Sequence, residues 1–247
     1  MTESDRKSGV VLVIGAGDGN GAAIARRFAK EGLIACVARR TAEPLADLVK
    51  SIEASGGRAR AFATDARKEE AVVALVEEIE RDVGPIEVLV FNVGANVPSS
   101  ILEETARKYY KIWEMACFSG FLSGREVARR MVARGRGTIL FTGATASLRG
   151  AKGFAAFAGA KAALRALAQS MARELGPRNI HVAHVVIDGA VDTAFIRDTF
   201  PQMYAEKMPK DGILLPDHVA ENFWMLHRQP RDAWTFELDL RPYMETW

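Results

Sequence analysis

The chain predicts a doubly wound α/β fold, a parallel sheet with helices on both faces, and three observations carry the prediction. Short β-branched and apolar runs alternate with longer amphipathic ones along the 247 residues. The short runs are apolar at consecutive positions, as in Val10-Val11-Leu12-Val13-Ile14, which suits strands covered on both faces. No Pro/Gly/Ser-rich linker, repeat, low-complexity tract or composition shift divides the chain, so one domain over 1–247 is expected, with right-handed crossovers.

The first strand is expected at Val10–Ile14. It runs into the glycine turn Gly15-Ala16-Gly17-Asp18-Gly19-Asn20-Gly21, and apolar residues then recur at helical spacing over Ala22–Lys30. The same alternation gives a strand at Leu33–Ala38 and a helix at Leu45–Ser55, then a strand at Ala59–Thr64 and a helix at Glu69–Asp82. A strand at Val88–Asn92 precedes a long helix over Thr105–Ala133, and a strand at Thr138–Thr142 precedes a helix over Phe154–Leu175. Val182–Ile187 is the sixth strand, followed by a helix at His218–Arg228. The closing run Trp234–Leu240 reads as a seventh, edge strand, whose open backbone groups need a partner.

Composition excludes several classes. The chain is 49% hydrophobic, enough for a sizeable core, and 33 Lys+Arg against 31 Asp+Glu leave a net charge of +2. With no basic stripe or interleaved aromatics, nucleic acid is not an expected partner. The polar start Met1 to Ser8 is unlike a secretory signal and no apolar run reaches membrane-spanning length, so the expected location is cytoplasmic. Cys36, in a strand, and Cys117, in a helix, form neither a disulfide framework nor a metal-ligand set. No metal is expected.

Glycines between a first strand and a first helix let backbone N–H groups approach a pyrophosphate, which the positive end of the helix dipole also favours. Ligands on such sheets sit beyond the carboxyl ends of the strands, where strand order reverses. At those ends lie Gly15 to Gly21, Arg39 and Arg40, Asp65 and Ala66, Asn92 to Gly94, Thr142 to Ser147, and Asp188 to Thr193.

Together with Lys161, these positions resemble the short-chain dehydrogenase/reductase family over nearly the whole chain, which implies a Rossmann-like three-layer sandwich with a seven-stranded, mainly parallel sheet. Ile14-Gly15-Ala16-Gly17-Asp18-Gly19-Asn20-Gly21 matches the family's TGxxxGxG, with Ile14 in place of threonine. Asp65 matches its adenine-contacting aspartate, and Phe91-Asn92-Val93-Gly94 matches its NNAG segment with Asn92 and Gly94 kept. Phe157-Ala158-Gly159-Ala160-Lys161 aligns with YxxxK, keeping the lysine and losing the tyrosine. Thr193 fits the threonine that contacts the nicotinamide carboxamide.

In family members that use NAD, an acidic residue ends the second strand and binds the adenosine ribose; here Arg39 and Arg40 stand there. Guanidinium groups bind a 2′-phosphate by charge-assisted hydrogen bonds, so NADP(H) is favoured over NAD(H), although Asp18 adds a nearby negative charge. The resemblance also assigns the reaction's proton to the missing tyrosine and carbonyl polarisation to a serine. An asparagine completes a water relay. The serine falls at Ala144 and the asparagine at Cys117.

Lys161 remains to place the cofactor ribose, unless it is only a solvated helix lysine. Thr145, beside the vacated serine position, could offer its hydroxyl to substrate, as could Thr142 or Ser147; all three could equally cap local backbone. Asp188 stands where the family has proline and serves as an acid or an anchor for a cationic substrate, or as a turn residue bonded to its own backbone. Cys117 reads as a packing residue, and His181 and His184, on opposite faces of a strand, as core or surface histidines.

Residues 193–213, with Phe195, Phe200, Met203, Tyr204 and Met208, correspond to the family's substrate lid and could line a partly apolar pocket or pack a neighbouring subunit. The edge strand needs a partner, and the resemblance implies a homodimer or homotetramer, with the aromatic tail Tyr243 to Trp247 reaching across its interface. Two function classes follow. One is an NADP(H)-dependent oxidoreductase with an altered site, suited to imine or activated alkene reduction, acting on a small molecule; the other is a cofactor-binding sensor or oligomer partner without turnover.

Overall fold

The computed structural model describes residues 9–246; the polar start Met1 to Ser8 and the terminal Trp247 lie outside the described residues. Seven parallel strands form the sheet: β1 (Val10–Ile14), β2 (Ile34–Arg39), β3 (Arg58–Ala63), β4 (Ile86–Phe91), β5 (Gly137–Thr142), β6 (Ile180–Ile187) and β7 (Glu237–Leu240). They are ordered β3-β2-β1-β4-β5-β6-β7. Every pairing is parallel, including β6 with the short β7, so the sheet is wholly rather than mainly parallel. Strand order reverses between β1 and β4.

Nine helices connect the described strands: α1 (Asn20–Lys30), α2 (Ala46–Ala54), α3 (Glu69–Asp82), α4 (Ala106–Trp113), α5 (Ser119–Arg134), α6 (Ala155–Leu175), α7 (Ala194–Thr199), α8 (Pro201–Lys207) and α9 (Pro216–His227). The long helix expected over Thr105–Ala133 is α4 and α5 joined through a single π turn, Glu114–Phe118, that holds Cys117. Thr105 caps its start by accepting from the Lys108 N–H at 3.2 Å, and Gly135, left-handed at φ 70, ends it.

The sheet's two faces make two cores. Val11, Val13, Val37 and Val185 face α1, α2 and α9, where Phe28 meets Trp224 edge to face at 5.2 Å. Leu12, Phe91, Phe141 and Val182 face α3, α5 and α6. Apolar coverage on both faces holds for β1 and β6, which are buried throughout. It fails at the edges: Arg58 and Arg60 of β3 are exposed while Ala59 and Phe62 are buried, because an outermost strand is covered by fewer helices.

At the other edge, β7 is shorter than Trp234–Leu240 because Trp234 and Thr235 are committed to His181, by ring stacking at 4.9 Å and by the Thr235 carbonyl at 2.9 Å from Nε2. Glu237 ties β7 down. It accepts two hydrogen bonds from Arg165 of α6, at 2.6 and 2.7 Å, and lies 3.0 Å from His184 Nδ1. Both strand histidines thus have partners that sequence spacing did not reveal. Burial pushes His184 down to about 4 despite Glu237. Among the described residues no helix is long and apolar enough to cross a membrane.

Candidate active site and nucleotide cleft

The carboxyl ends of the strands open into a cleft with two lobes that meet at Asn92 and Gly94. One lobe, about 470 Å³, is lined by Gly15, Gly17, Arg39, Arg40, Asp65 and Ala66 among others. The other, about 390 Å³, is lined by residues that include Asn20, Asn96, Thr142, Ala144, Thr145, Arg149, Phe154, Phe157 and Lys161. Residues far apart in the chain meet here because strand order reverses between β1 and β4.

The glycine turn is shaped by close backbone approach. Gly15 turns with φ +90, and the Asn92 side-chain amide donates to its carbonyl at 3.0 Å across the switch point. A β-carbon on Gly21 would lie 2.5 Å from the Gly15 carbonyl oxygen and 2.8 Å from Ala16 Cα, so only glycine lets α1 start this close to β1. No side chain caps α1, and a β-carbon on Gly17 would meet nothing within 4 Å. Open backbone over an uncapped helix start fits a pyrophosphate. On this ground the residues present fit a dinucleotide.

Of the other expected cofactor residues, Thr193 caps α7, accepting from Ile196 N–H at 3.3 Å, and sets its methyl group against Gly19. Asp18 is exposed on the turn and lines neither lobe. Asp65 is held by Arg67 through two side-chain hydrogen bonds of 2.8 and 2.6 Å, which pull its carboxyl down to about 2. Arg67, also 3.7 Å from Glu114, went unnoticed in the sequence; its signal is an Asp-x-Arg step at a strand end.

In the second lobe Lys161 is buried, 3% exposed, and its ammonium donates to the carbonyls of Val93 at 3.0 Å and Thr142 at 2.8 Å. It is no solvated lysine. Burial lowers it to about 8, with Cys117 opposing weakly. Since an ordinary lysine ionises near 10.5, the unfolded chain binds the extra proton between these values, and stability rises as pH is raised through that window. We expect a gain of about 3 kcal/mol, read as a urea midpoint climbing from pH 8 to 10.5 in the wild type but not in Lys161→Met. A flat wild-type midpoint would show that the ammonium is not desolvated.

Phe157 packs in a small cluster with Ala95, Ile112, Ala116, Cys117 and Ala160, its ring centroid 6.0 Å from Lys161 Nζ. Cys117 is a packing residue there, its thiol pushed up by burial. Thr145 lines the lobe, but its hydroxyl donates to Asp188 Oδ1 at 2.5 Å. Asp188 is 1% exposed and lines neither lobe; its carboxylate also meets Arg149 and Arg241, each at 3.4 Å, rather than its own backbone. Ser147 is turned inward, accepting from Ala144 N–H at 3.1 Å. The buried Thr142 hydroxyl, by contrast, has no hydrogen-bond partner among the described residues.

Comparison with known proteins agrees with this geometry. The short chain dehydrogenase family matches residues 9–203. The short-chain reductase protein NovJ of Streptomyces niveus is 32% identical over 86% of this chain and 79% of its own. A crystal structure of a short-chain dehydrogenase from Rhodopseudomonas palustris is 51% identical, covering 95% of this chain and 99% of that one, with a TM-score of 0.80. An actinorhodin polyketide ketoreductase with NADPH is 25% identical over the whole of both chains, with a TM-score of 0.88. The paired lobes, the glycine turn and the buried lysine belong to a protein with that ancestry: the chain is a member of the short-chain dehydrogenase family.

Proposed function

We propose that the protein is a single-domain, cytoplasmic, NADP(H)-dependent oxidoreductase whose altered site reduces an imine or an activated alkene rather than a simple ketone. The observation that carries this reading is Lys161, buried between two backbone carbonyls in a cleft where Phe157 and Ala144 present no hydroxyl. When bound, the cofactor supplies a hydride. The glycine turn and α1 would hold its pyrophosphate, Arg39 and Arg40 its 2′-phosphate, Asp65 and Ala66 its adenine, and Lys161 its nicotinamide ribose. An iminium ion already carries the proton that Phe157 cannot give, so hydride alone completes its reduction. Residues 193–213, which fold as α7 and α8, act as a lid over a small, partly apolar substrate, with Thr193 anchoring the lid to the glycine turn.

A second reading, a cofactor-binding protein without turnover, is favoured by one arrangement. Thr145 and Asp188 are hydrogen-bonded to each other, so neither holds a proton ready for substrate. In both readings the protein is a homodimer or homotetramer, using the open edge of β7 and the aromatic tail, in which Tyr243 is 78% exposed.

Thermal-shift titration with NADPH and, separately, NADH tests the reading. A ligand at one hundred times its dissociation constant stabilises by about 2.7 kcal/mol, so NADPH is expected to raise Tm clearly and NADH to raise it less at equal concentration. The difference should vanish in an Arg39→Ser, Arg40→Ser variant. Equal shifts in the wild type would remove the 2′-phosphate assignment. No shift with either ligand would remove the oxidoreductase reading.

A further inference from the structure

The second lobe contains a charged group that the nucleotide does not explain. Arg149 follows the turn after β5, its side chain 38% exposed at the lobe wall. Only Nη2 is engaged, by two long hydrogen bonds of 3.4 Å to the oxygens of Asp188. Its Nε and Nη1 groups make no hydrogen bond among the described residues. Asp188 lies behind it, 1% exposed and further fixed by Thr145 and Arg241. The buried carboxylate therefore holds the guanidinium while its remaining donors stay open.

The rest of the wall defines what those donors would meet. No Asp or Glu lines the lobe; with Arg149 and Lys161 its lining includes asparagines and the apolar Ala146, Ala151, Phe154 and Phe157. An open guanidinium in a lobe with apolar, partly aromatic lining suits an apolar body ending in an anion, which the open N–H groups bind by charge-assisted hydrogen bonds. Asp188 offsets part of the positive charge of Arg149, which suits a singly charged carboxylate.

We propose that the substrate of this site is a carboxylic acid whose carboxylate is held by Arg149 while its apolar body lies toward Phe154 and Phe157. This rests on the oxidoreductase reading for its word substrate; the subsite itself does not need the cofactor.

The test is isothermal titration of the protein, with and without saturating NADP⁺, against matched probes: acetate with acetamide, benzoate with benzamide, cinnamate with cinnamamide. At least one carboxylate is expected to bind about tenfold or more tightly than its amide, as a charge-assisted hydrogen bond exceeds a neutral one. In Arg149→Gln that preference should disappear, with the melting curve showing that the variant is folded. If no carboxylate is preferred over its amide by the wild type, the proposal is overturned without recourse to any variant. It is also overturned if the preference survives in Arg149→Gln, an outcome that would assign the anion to Lys161. Carboxylate preference without any NADPH melting shift would uphold the subsite and sink the oxidoreductase reading alone.

Discussion

Restoring two hydroxyls, Phe157→Tyr with Ala144→Ser, is expected to raise NADPH-dependent reduction of activated keto esters by about 10²–10⁴ over the wild type, the usual contribution of a positioned acid–base group. Phe157 and Ala144 line the same lobe as Lys161, whose ammonium is already fixed by the Val93 and Thr142 carbonyls. A tyrosine hydroxyl introduced there would meet a desolvated cation, which favours its ionised form and makes it a better proton donor–acceptor near neutral pH. The serine would supply the polarising hydroxyl that Thr145 cannot give while bonded to Asp188. Steady-state loss of NADPH absorbance reads the result, with Phe157→Tyr alone expected to fall between the two. A double variant that binds NADPH, folds and reduces none of the keto esters would show that the pocket has diverged beyond the missing acid.

The second large effect is structural. Gly21→Val is expected to lower Tm by about 2–12 °C, corresponding to about 1–3 kcal/mol for an overpacked site, and to abolish the NADPH shift. The atoms in the way are the Gly15 carbonyl oxygen and Ala16 Cα, which are backbone and cannot rotate aside as a side chain would. Relief requires α1 to move off β1, opening the Phe28 and Val11 core and deforming the turn together. Gly17→Ala is the control, because its β-carbon would meet nothing within 4 Å. Equal melting temperatures for Gly21→Val and the wild type would refute the close approach.

These outcomes depend on features of unequal legibility in the sequence. Runs such as Val10–Ile14 and the 3.6-residue spacing of the helices gave the sheet and its coverage, because both periodicities report burial directly. The glycine turn, Arg39, Arg40, Asp65, Asn92 and Lys161 could be placed at the cleft because strand ends fix where ligands sit. Helices α7 and α8 were hidden in the lid because six- and seven-residue helices hold too few turns to show a period. The direction in which a loop side chain points was not legible at all. Asp188 reads from sequence as an acid or anchor in the cleft or as a turn residue on its own backbone, and its carboxylate meets Thr145, Arg149 and Arg241. Arg149, two residues beyond the Thr142 to Ser147 turn, carries no periodic or motif signal.

The π turn at Glu114–Phe118 has a consequence for how this chain tolerates change in length. An extra residue at the regular pitch of about 100° would rotate α5 against α4, but the widened π turn takes it up and keeps their buried stripes aligned. Ile112, Ala116 and Cys117 can then share one surface beneath Phe157 while Leu122 and Val127 still meet the sheet. Removing one residue from the turn would let the segment close as a regular α-helix with both halves in place, but would take away the widened turn that carries Ala116 and Cys117 together beneath Phe157. The segment stores one residue of slack, and its residue count is as much a property of the site as the identity of the residues that line it.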